Sequence, residues 1–191
     1  ADGPSQMGLE DISLFRAIRE SVVLYPADAV STERCVELAA RHRGIVYIRT
    51  SRSDTPILYT DKDTFSIGGS HVLKKSPQDV VTVFAAGITL HEALTAYELL
   101  KKEGIIIRVV DMYSVKPFDR QVISEACQET KALIVVEYHY PEGWLYVAIC
   151  GSELVTVPTH SLAVRKMPRS GSSQELLDYE DISAAAIVKK V

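Results

Sequence analysis

Cysteine is scarce in this 191-residue chain: only Cys35, Cys127 and Cys150 occur. They are odd in number, far apart and without CxxC spacing, which argues against a disulfide framework or a thiolate metal site. Each sits in an apolar helical pattern and reads as a reduced core thiol, favouring a reducing compartment, most simply the cytoplasm. The histidines, His42, His71, His91, His139 and His160, show no HxxxH spacing with a carboxylate partner. GxGxxG, P-loop, GxSxG and HExxH patterns are all missing. No apolar run approaches the roughly 18–20 residues of a membrane span. The opening Ala1-Asp2-Gly3-Pro4-Ser5 lacks the basic start and apolar stretch of a signal peptide. There is no basic block either. With 21 Lys+Arg against 25 Asp+Glu and a net charge of −4, nothing electrostatic points to nucleic acid or an anionic membrane as partner.

What is present is an ordinary globular composition, 47% hydrophobic and 24% charged, long enough to bury a core. Its apolar periodicity alternates between two kinds of segment. Residues 6–18 carry a helical stripe, Val22-Val23-Leu24-Tyr25 is a buried-strand pattern stopped by Pro26, residues 29–42 return to helix, and Ile45 to Ile48 is a second strand. Residues 50–64 then turn polar and mark a boundary. A second series follows: a strand over 80–85, a helix from Thr89 to Lys102 stopped by Gly104, and strands over 105–110 and 132–136. A helix over 119–130, a short helix over 142–150, a strand over 161–164 and a terminal helix complete it. Thr89/Glu92 and Ser172/Glu175 both have capping-box spacing. The predicted fold is α/β: a partial α/β layer over residues 1–60, a linker over 61–78, and a doubly wound, mostly parallel sheet over 79–191.

Three segments are candidates for chemistry. Asp2-Gly3-Pro4-Ser5-Gln6-Met7 delivers polar groups to a helix start, where free amides attract anions; Ser5 or Asp2 acting as a simple N-cap is the plain alternative. Arg49-Thr50-Ser51-Arg52 follows a strand end, where ligands of open α/β sheets gather. Two arginines there suit a phosphate grip, and alternation predicts that only one of them faces a ligand; a solvated loop cation is the plain alternative. Ala86 to Glu92 reads as a tight turn and helix cap, with His91 at a surface or interface. Tyr138-His139-Tyr140 also follows a strand end and reads as a subunit contact.

These residues carry a resemblance beyond fold type. Asp2-Gly-Pro-Ser-Gln-Met-x-Leu-Glu-Asp11, Tyr25-Pro26-x-Asp28 and Tyr47-Ile-Arg-Thr-Ser-Arg52 resemble the second half of the pyrimidine-binding domain of animal-type transketolases. Ala86-Gly-Ile-Thr-Leu-His-Glu-Ala93, the stretch from Arg108 to Lys116-Pro117, Glu137-Tyr-His-Tyr-Pro-Glu-Gly143 and Pro168-Arg-Ser-Gly171 resemble the C-terminal domain of that family. The similarity covers nearly the whole chain, in the family's order. Departures are Tyr138 in place of the family's usual Asp, Gly143-Trp144 in place of Gly-Gly, a short stretch over 144–158, and the missing Met-Tyr/Phe-Gly near residue 178.

The resemblance implies a thiamine diphosphate enzyme of the pentose phosphate pathway, a cytoplasmic homodimer. It transfers a two-carbon ketol unit from a ketose phosphate to an aldose phosphate. The cofactor supplies the carbanion chemistry, and the protein supplies orientation and charge. Carried over by position, Asp2 contacts the sugar hydroxyls of the substrate, Arg52 binds its phosphate and Gln6 lies near the cofactor's pyrimidine. No catalytic residue and no metal ligand maps onto the chain. The GDG…N stretch that holds Mg or Ca with the diphosphate, and the glutamate that bonds the aminopyrimidine, have no counterpart. The expectation is a portion of a transketolase, inactive alone: a proteolytic or expressed piece, or one part of a split enzyme. Its first layer would then carry an open sheet edge. The alternatives are another thiamine diphosphate enzyme, such as a deoxyxylulose phosphate synthase or the beta subunit of a 2-oxoacid dehydrogenase, and a non-catalytic dimerisation module.

Overall fold

The computed structural model describes residues 7–52 and 54–191. Along the chain come α1 (Asp11–Ala17), β1 (Val22–Leu24), α2 (Ala29–Arg41), β2 (Val46–Ile48), β3 (His71–Lys74), β4 (Thr82–Ala85), α3 (Ile88–Lys102) and β5 (Arg108–Asp111). Then follow β6 (Ser114–Lys116), α4 (Arg120–Glu129), β7 (Leu133–Glu137), α5 (Leu145–Cys150), β8 (Thr159–Ala163), α6 (Ser173–Tyr179) and α7 (Ala184–Lys190). Five strands form one sheet in the order β3-β5-β4-β7-β8, and three form another in the order β2-β1-β6.

In the larger sheet β5, β4, β7 and β8 are mutually parallel, and only the edge strand β3 runs antiparallel. This is the α/β, mostly parallel architecture read from the apolar runs. A strand covered on both faces needs apolar residues at every position rather than at alternate ones. Val83 and Ala85 of β4, with Ile134 and Val136 of β7, face a core shared with Leu90, Ala93, Ala96 and Leu100 of α3 and Ile187 of α7. Phe84, Leu133 and Val135 point the other way, onto Val122, Ile123 and Ala126 of α4 and Leu145 and Ile149 of α5. Ile12, Val23 and Tyr25 of the first segment pack into that second core.

The smaller sheet crosses the boundary between the two series. β1 pairs with β2 in parallel and with β6 antiparallel. Lys116 in β6 extends its Nζ to the carbonyls of Arg16 (2.8 Å) and Ile18 (2.6 Å), capping the C-terminal end of α1. A cation there complements the helix dipole.

Several local expectations are corrected. Residue 89 is not a helix cap: α3 starts with Gly87 as N-cap, and the Thr89 hydroxyl donates to the carbonyls of Ala86 and Val136, each at 3.0 Å. Glu92 accepts the amide of Ala184 at 2.7 Å and so caps α7 from a distance. The expected capping box at Ser172 and Glu175 is formed, and a second, at Asp28 and Ser31, starts α2. β3 falls in the stretch expected to be linker, and the single terminal helix is two, α6 and α7. Cys35 and Cys127 are buried, but Cys150 is exposed. It ends α5 on the outer side, beside the exposed Val147.

Candidate functional site

The carboxyl ends of β1 and β2 lie side by side, so the residues that follow each strand, 25–28 and 49–52, meet at one end of the small sheet. The backbone fixes this: the Arg49 amide donates to the Leu24 carbonyl at 2.9 Å, and the Tyr25 amide to the Tyr113 carbonyl at 2.7 Å. Beside them opens a cleft of about 440 Å³, lined among others by Pro26, Asp28, Thr32, Thr50, Ser51 and Asp54.

The two arginines of the expected phosphate grip have different fates. Arg49 is buried at 5% exposure. Its Nη1 donates to the carbonyl of Tyr138 at 2.7 Å, its Nη2 to that of Met7 at 3.2 Å, and its Nε lies 3.4 Å from Asp11 Oδ2. The guanidinium also sits 5.0 Å from the ring centre of Tyr25 and 5.2 Å from that of Tyr138. A charge this far from water persists only when paired and hydrogen-bonded, so Arg49 belongs to the framework. Arg52, three residues on, is exposed on the loop that continues past Ser51. Asp2 and Gln6, the other two candidate site residues, lie outside the described residues.

Tyr25 links the framework to that loop. Its ring is fully buried, and its hydroxyl lies 3.1 Å from Ser51 Oγ. The ring rests against Gly87, where any Cβ would collide with it, and where φ is +57°. Glycine is the residue that tolerates both conditions. The Trp144 indole, also fully buried, packs 6.2 Å from the Tyr25 ring centre.

Two carboxylates, Asp28 and Asp54, line the cleft, and that of Asp28 is held by its neighbours. Burial pushes the Asp28 carboxyl up, but hydrogen bonds from the Ser31 hydroxyl and amide and from the Leu58 and Tyr59 amides more than offset this and hold its pKa below the usual carboxylate range. Asp28 therefore ties α2 to the 58–59 segment instead of offering a free base. Among the described residues no three His, Cys, Asp or Glu side chains converge on a metal-binding position.

Two buried acids went unnoticed in the sequence. Asp111 is fully buried, accepts the Tyr59 hydroxyl at 2.6 Å, and is pushed up to about 7 by burial. Glu137, also fully buried, accepts the Tyr146 amide at 2.8 Å and the Ser161 hydroxyl at 3.2 Å, and burial raises it to about 7 as well. The available signal was a carboxylate closing an otherwise apolar strand, as in Arg108-Val-Val-Asp111 and Leu133-Ile-Val-Val-Glu137. The 138–140 stretch, expected at a subunit contact, makes contacts within the chain, where His139 is buried and Tyr138 and Tyr140 are half-buried. His139 is 1% exposed, its Nε2 lies 3.2 Å from Ser13 Oγ, and the Tyr140 amide donates to the Leu9 carbonyl at 3.1 Å. His91 likewise turns inward, with Nε2 2.8 Å from the Ala27 carbonyl.

Comparison with known proteins places this geometry. Residues 70–187 match the family described as transketolase, C-terminal domain, and residues 1–57 match transketolase, pyrimidine binding domain. Over the whole chain the sequence is 49% identical to a transketolase of Homo sapiens, and over 98% of it 47% identical to transketolase-like protein 1 of Bos taurus. The chain spans 31% and 32% of those two proteins. Among solved structures, a split gene transketolase described as an inactive beta4 tetramer superposes with a TM-score of 0.87 at 36% identity, covering 95% of this chain and 59% of that one. A transketolase from Campylobacter jejuni shares the fold, with a TM-score of 0.78 at 20% identity, over 99% of this chain and 28% of that one.

Proposed function

Because the chain belongs to the transketolase family, we propose that it supplies the sugar-phosphate side of a thiamine diphosphate-dependent ketol-transfer site and is inactive on its own. In this reading the complete enzyme moves a two-carbon ketol unit from a ketose phosphate to an aldose phosphate, in the cytoplasm, as a homodimer serving the pentose phosphate pathway. Arg52 holds the substrate phosphate, Asp2 its hydroxyls, and Gln6 lies near the cofactor's pyrimidine. The 1–60 portion contributes these groups, and 79–191 forms the scaffold behind them.

The observation that carries the reading is the division of labour in Arg49-Thr50-Ser51-Arg52. Arg49 is consumed inside the framework, while Thr50 and Ser51 line a cleft at the strand ends and Arg52 stands exposed beside them. An exposed guanidinium at a strand end can reach an oxyanion with paired, charge-assisted hydrogen bonds, and here it has to offset Asp28 and Asp54, the carboxylates that line the cleft. The resemblance maps neither the diphosphate-binding stretch nor its metal ligands onto this chain. That half of the site is assigned to other parts of the complete enzyme.

The runner-up thiamine diphosphate enzymes are weighed by substrate. A 2-oxoacid dehydrogenase beta subunit has no use for a sugar-phosphate arginine. The decisive experiment is Arg52→Ala in the complete enzyme. Affinity for phosphorylated sugars is expected to fall by about 1.5–3 kcal/mol, the contribution of a hydrogen bond to a charge. Unchanged affinity, or full ketol transfer by the 191-residue chain alone, would overturn the reading.

A further inference from the structure

We propose that Tyr25 is a positioning residue for sugar-phosphate binding: clamped by Gly87 and Trp144 of the C-terminal portion, its hydroxyl anchors Ser51 and thereby sets the turn that presents Arg52. The inference rests on the reading of Arg52 as the phosphate contact.

Tyr25 has little freedom. Its backbone is tied to Tyr113 through the 2.7 Å amide bond. One side of the ring meets the backbone of Gly87, at the turn between β4 and α3. The Trp144 ring packs against it at 6.2 Å, and the Arg49 guanidinium covers it at 5.0 Å. Arg49 is in turn held by Tyr138 and Asp11. Gly87 follows β4, Tyr138 follows β7 and Trp144 starts α5, so the end of the larger sheet holds the ring from one side while Arg49, after β2, covers the other.

The ring's polar end points out of this clamp. A phenol brings a rigid reach and two torsions, so an ordered hydroxyl costs little conformational entropy. The hydroxyl lies 3.1 Å from Ser51 Oγ, and Ser51 is exposed and covalently adjacent to Arg52. A loop arginine must otherwise lose side-chain and backbone freedom when it closes on a ligand. Fixing the preceding residue removes part of that cost before the ligand arrives. Tyr25 does not touch the ligand in this scheme; it acts through Ser51.

The test uses the complete enzyme that contains this chain. Tyr25→Phe deletes one hydroxyl and leaves the clamped ring. The KM for a phosphorylated aldose acceptor is expected to rise about threefold to tenfold, the range of one neutral hydrogen bond, with kcat changed less than about twofold. The KM for an unphosphorylated aldose of the same length stays where it was. Ser51→Ala gives the same pattern, and the double variant is no worse than either single one, because both remove the same bond. An equal rise in KM for both acceptors, or additive losses in the double variant, overturns the positioning role. Arg52→Ala is measured alongside. If it leaves the phosphorylated acceptor unaffected, the reading of Arg52 falls and the inference with it. If it weakens that acceptor while Tyr25→Phe does not, the inference alone falls.

Discussion

Arg49 donates to the carbonyl of Tyr138 at 2.7 Å, and so bonds the end of β2 to the end of β7. This is one of several contacts that join residues before the 61–78 stretch to residues after it. Arg16 donates to the carbonyls of Gly143 and Trp144, and Lys116 donates to the end of α1. Each of these cations is spent on backbone carbonyls.

Removing Arg49 should therefore harm folding more than removing Arg52 does. Arg49→Ala removes the donor to the Tyr138 and Met7 carbonyls and the ion pair with Asp11. A loss of about 3 kcal/mol is expected from breaking a buried, hydrogen-bonded charge. Arg52→Ala, at an exposed position, is expected to cost less than Arg49→Ala. Urea unfolding of both variants decides the matter, and equal midpoints would refute the assignment of Arg49 to the framework.

Two glycines with positive φ make a controlled pair. At Gly104, φ is +79° and a Cβ would meet nothing within 4 Å. Gly104→Ala is expected to cost about 1 kcal/mol, from backbone strain alone. Gly87→Ala adds a collision with the Tyr25 ring and should cost at least about 3 kcal/mol or prevent folding. Thermal melts that rank the two the other way would contradict the clamp.

The pH dependence of stability follows from the buried acids. Asp111 and Glu137, raised to about 7 by burial, titrate near pH 4 when unfolded. Between those values the folded chain keeps protons that the unfolded chain has released, so stability falls as pH rises through the window. His71 and His139 act in the opposite sense. Burial lowers both, so the unfolded chain takes up protons first, and stability falls as pH drops below about 6.5. Asp111→Asn removes one member of the first set. The variant should gain on the parent between about pH 4 and 7, with a slope of up to about 1.4 kcal/mol per pH unit, and the gap should level off above that. Parallel curves for the two proteins would rule the effect out.

Thiol labelling separates the three cysteines. Cys35 is fully buried and pushed up to about 12 by burial and by Asp111, and Cys127 is 8% exposed. Cys150 is exposed, although partial burial raises its thiol too. The native protein should take up one alkylating group quickly, located at Cys150 by peptide mass, and three after unfolding. Rapid labelling of Cys35 would mean that α2 opens from the small sheet.

The strands legible in the sequence were β1, β2, β4, β5, β7 and β8, each marked by a short apolar run, and the signal is clearest in β4 and β7, whose burial is continuous. β3 and β6 were not, since both are short and pair antiparallel with partners far along the chain. Capping spacing held at Ser172 and failed at Thr89. The difference is tertiary: Gly87, pressed against Tyr25, starts α3 two residues earlier, and the Val136 carbonyl claims the Thr89 hydroxyl. Alternation predicted that one arginine of Arg49-Thr50-Ser51-Arg52 turns inward. It was silent on which groups hold Arg49, because Met7 and Tyr138 lie 42 and 89 residues away. Asp2 and Gln6, two of the three site residues carried over by resemblance, lie outside the described residues. The linking role of Tyr25 depends on Gly87 and Trp144, which no local pattern brings together.

The strand β6 belongs by sequence to the portion matched as C-terminal domain, yet by hydrogen bonding it completes the sheet of the portion before it. The inheritable unit and the architectural unit are therefore offset. A recombination or fusion junction placed in the gap between residues 57 and 70 would join whole family modules on paper and still strip one of them of a strand. In shuffling enzymes of this kind, the two portions have to travel as one cassette.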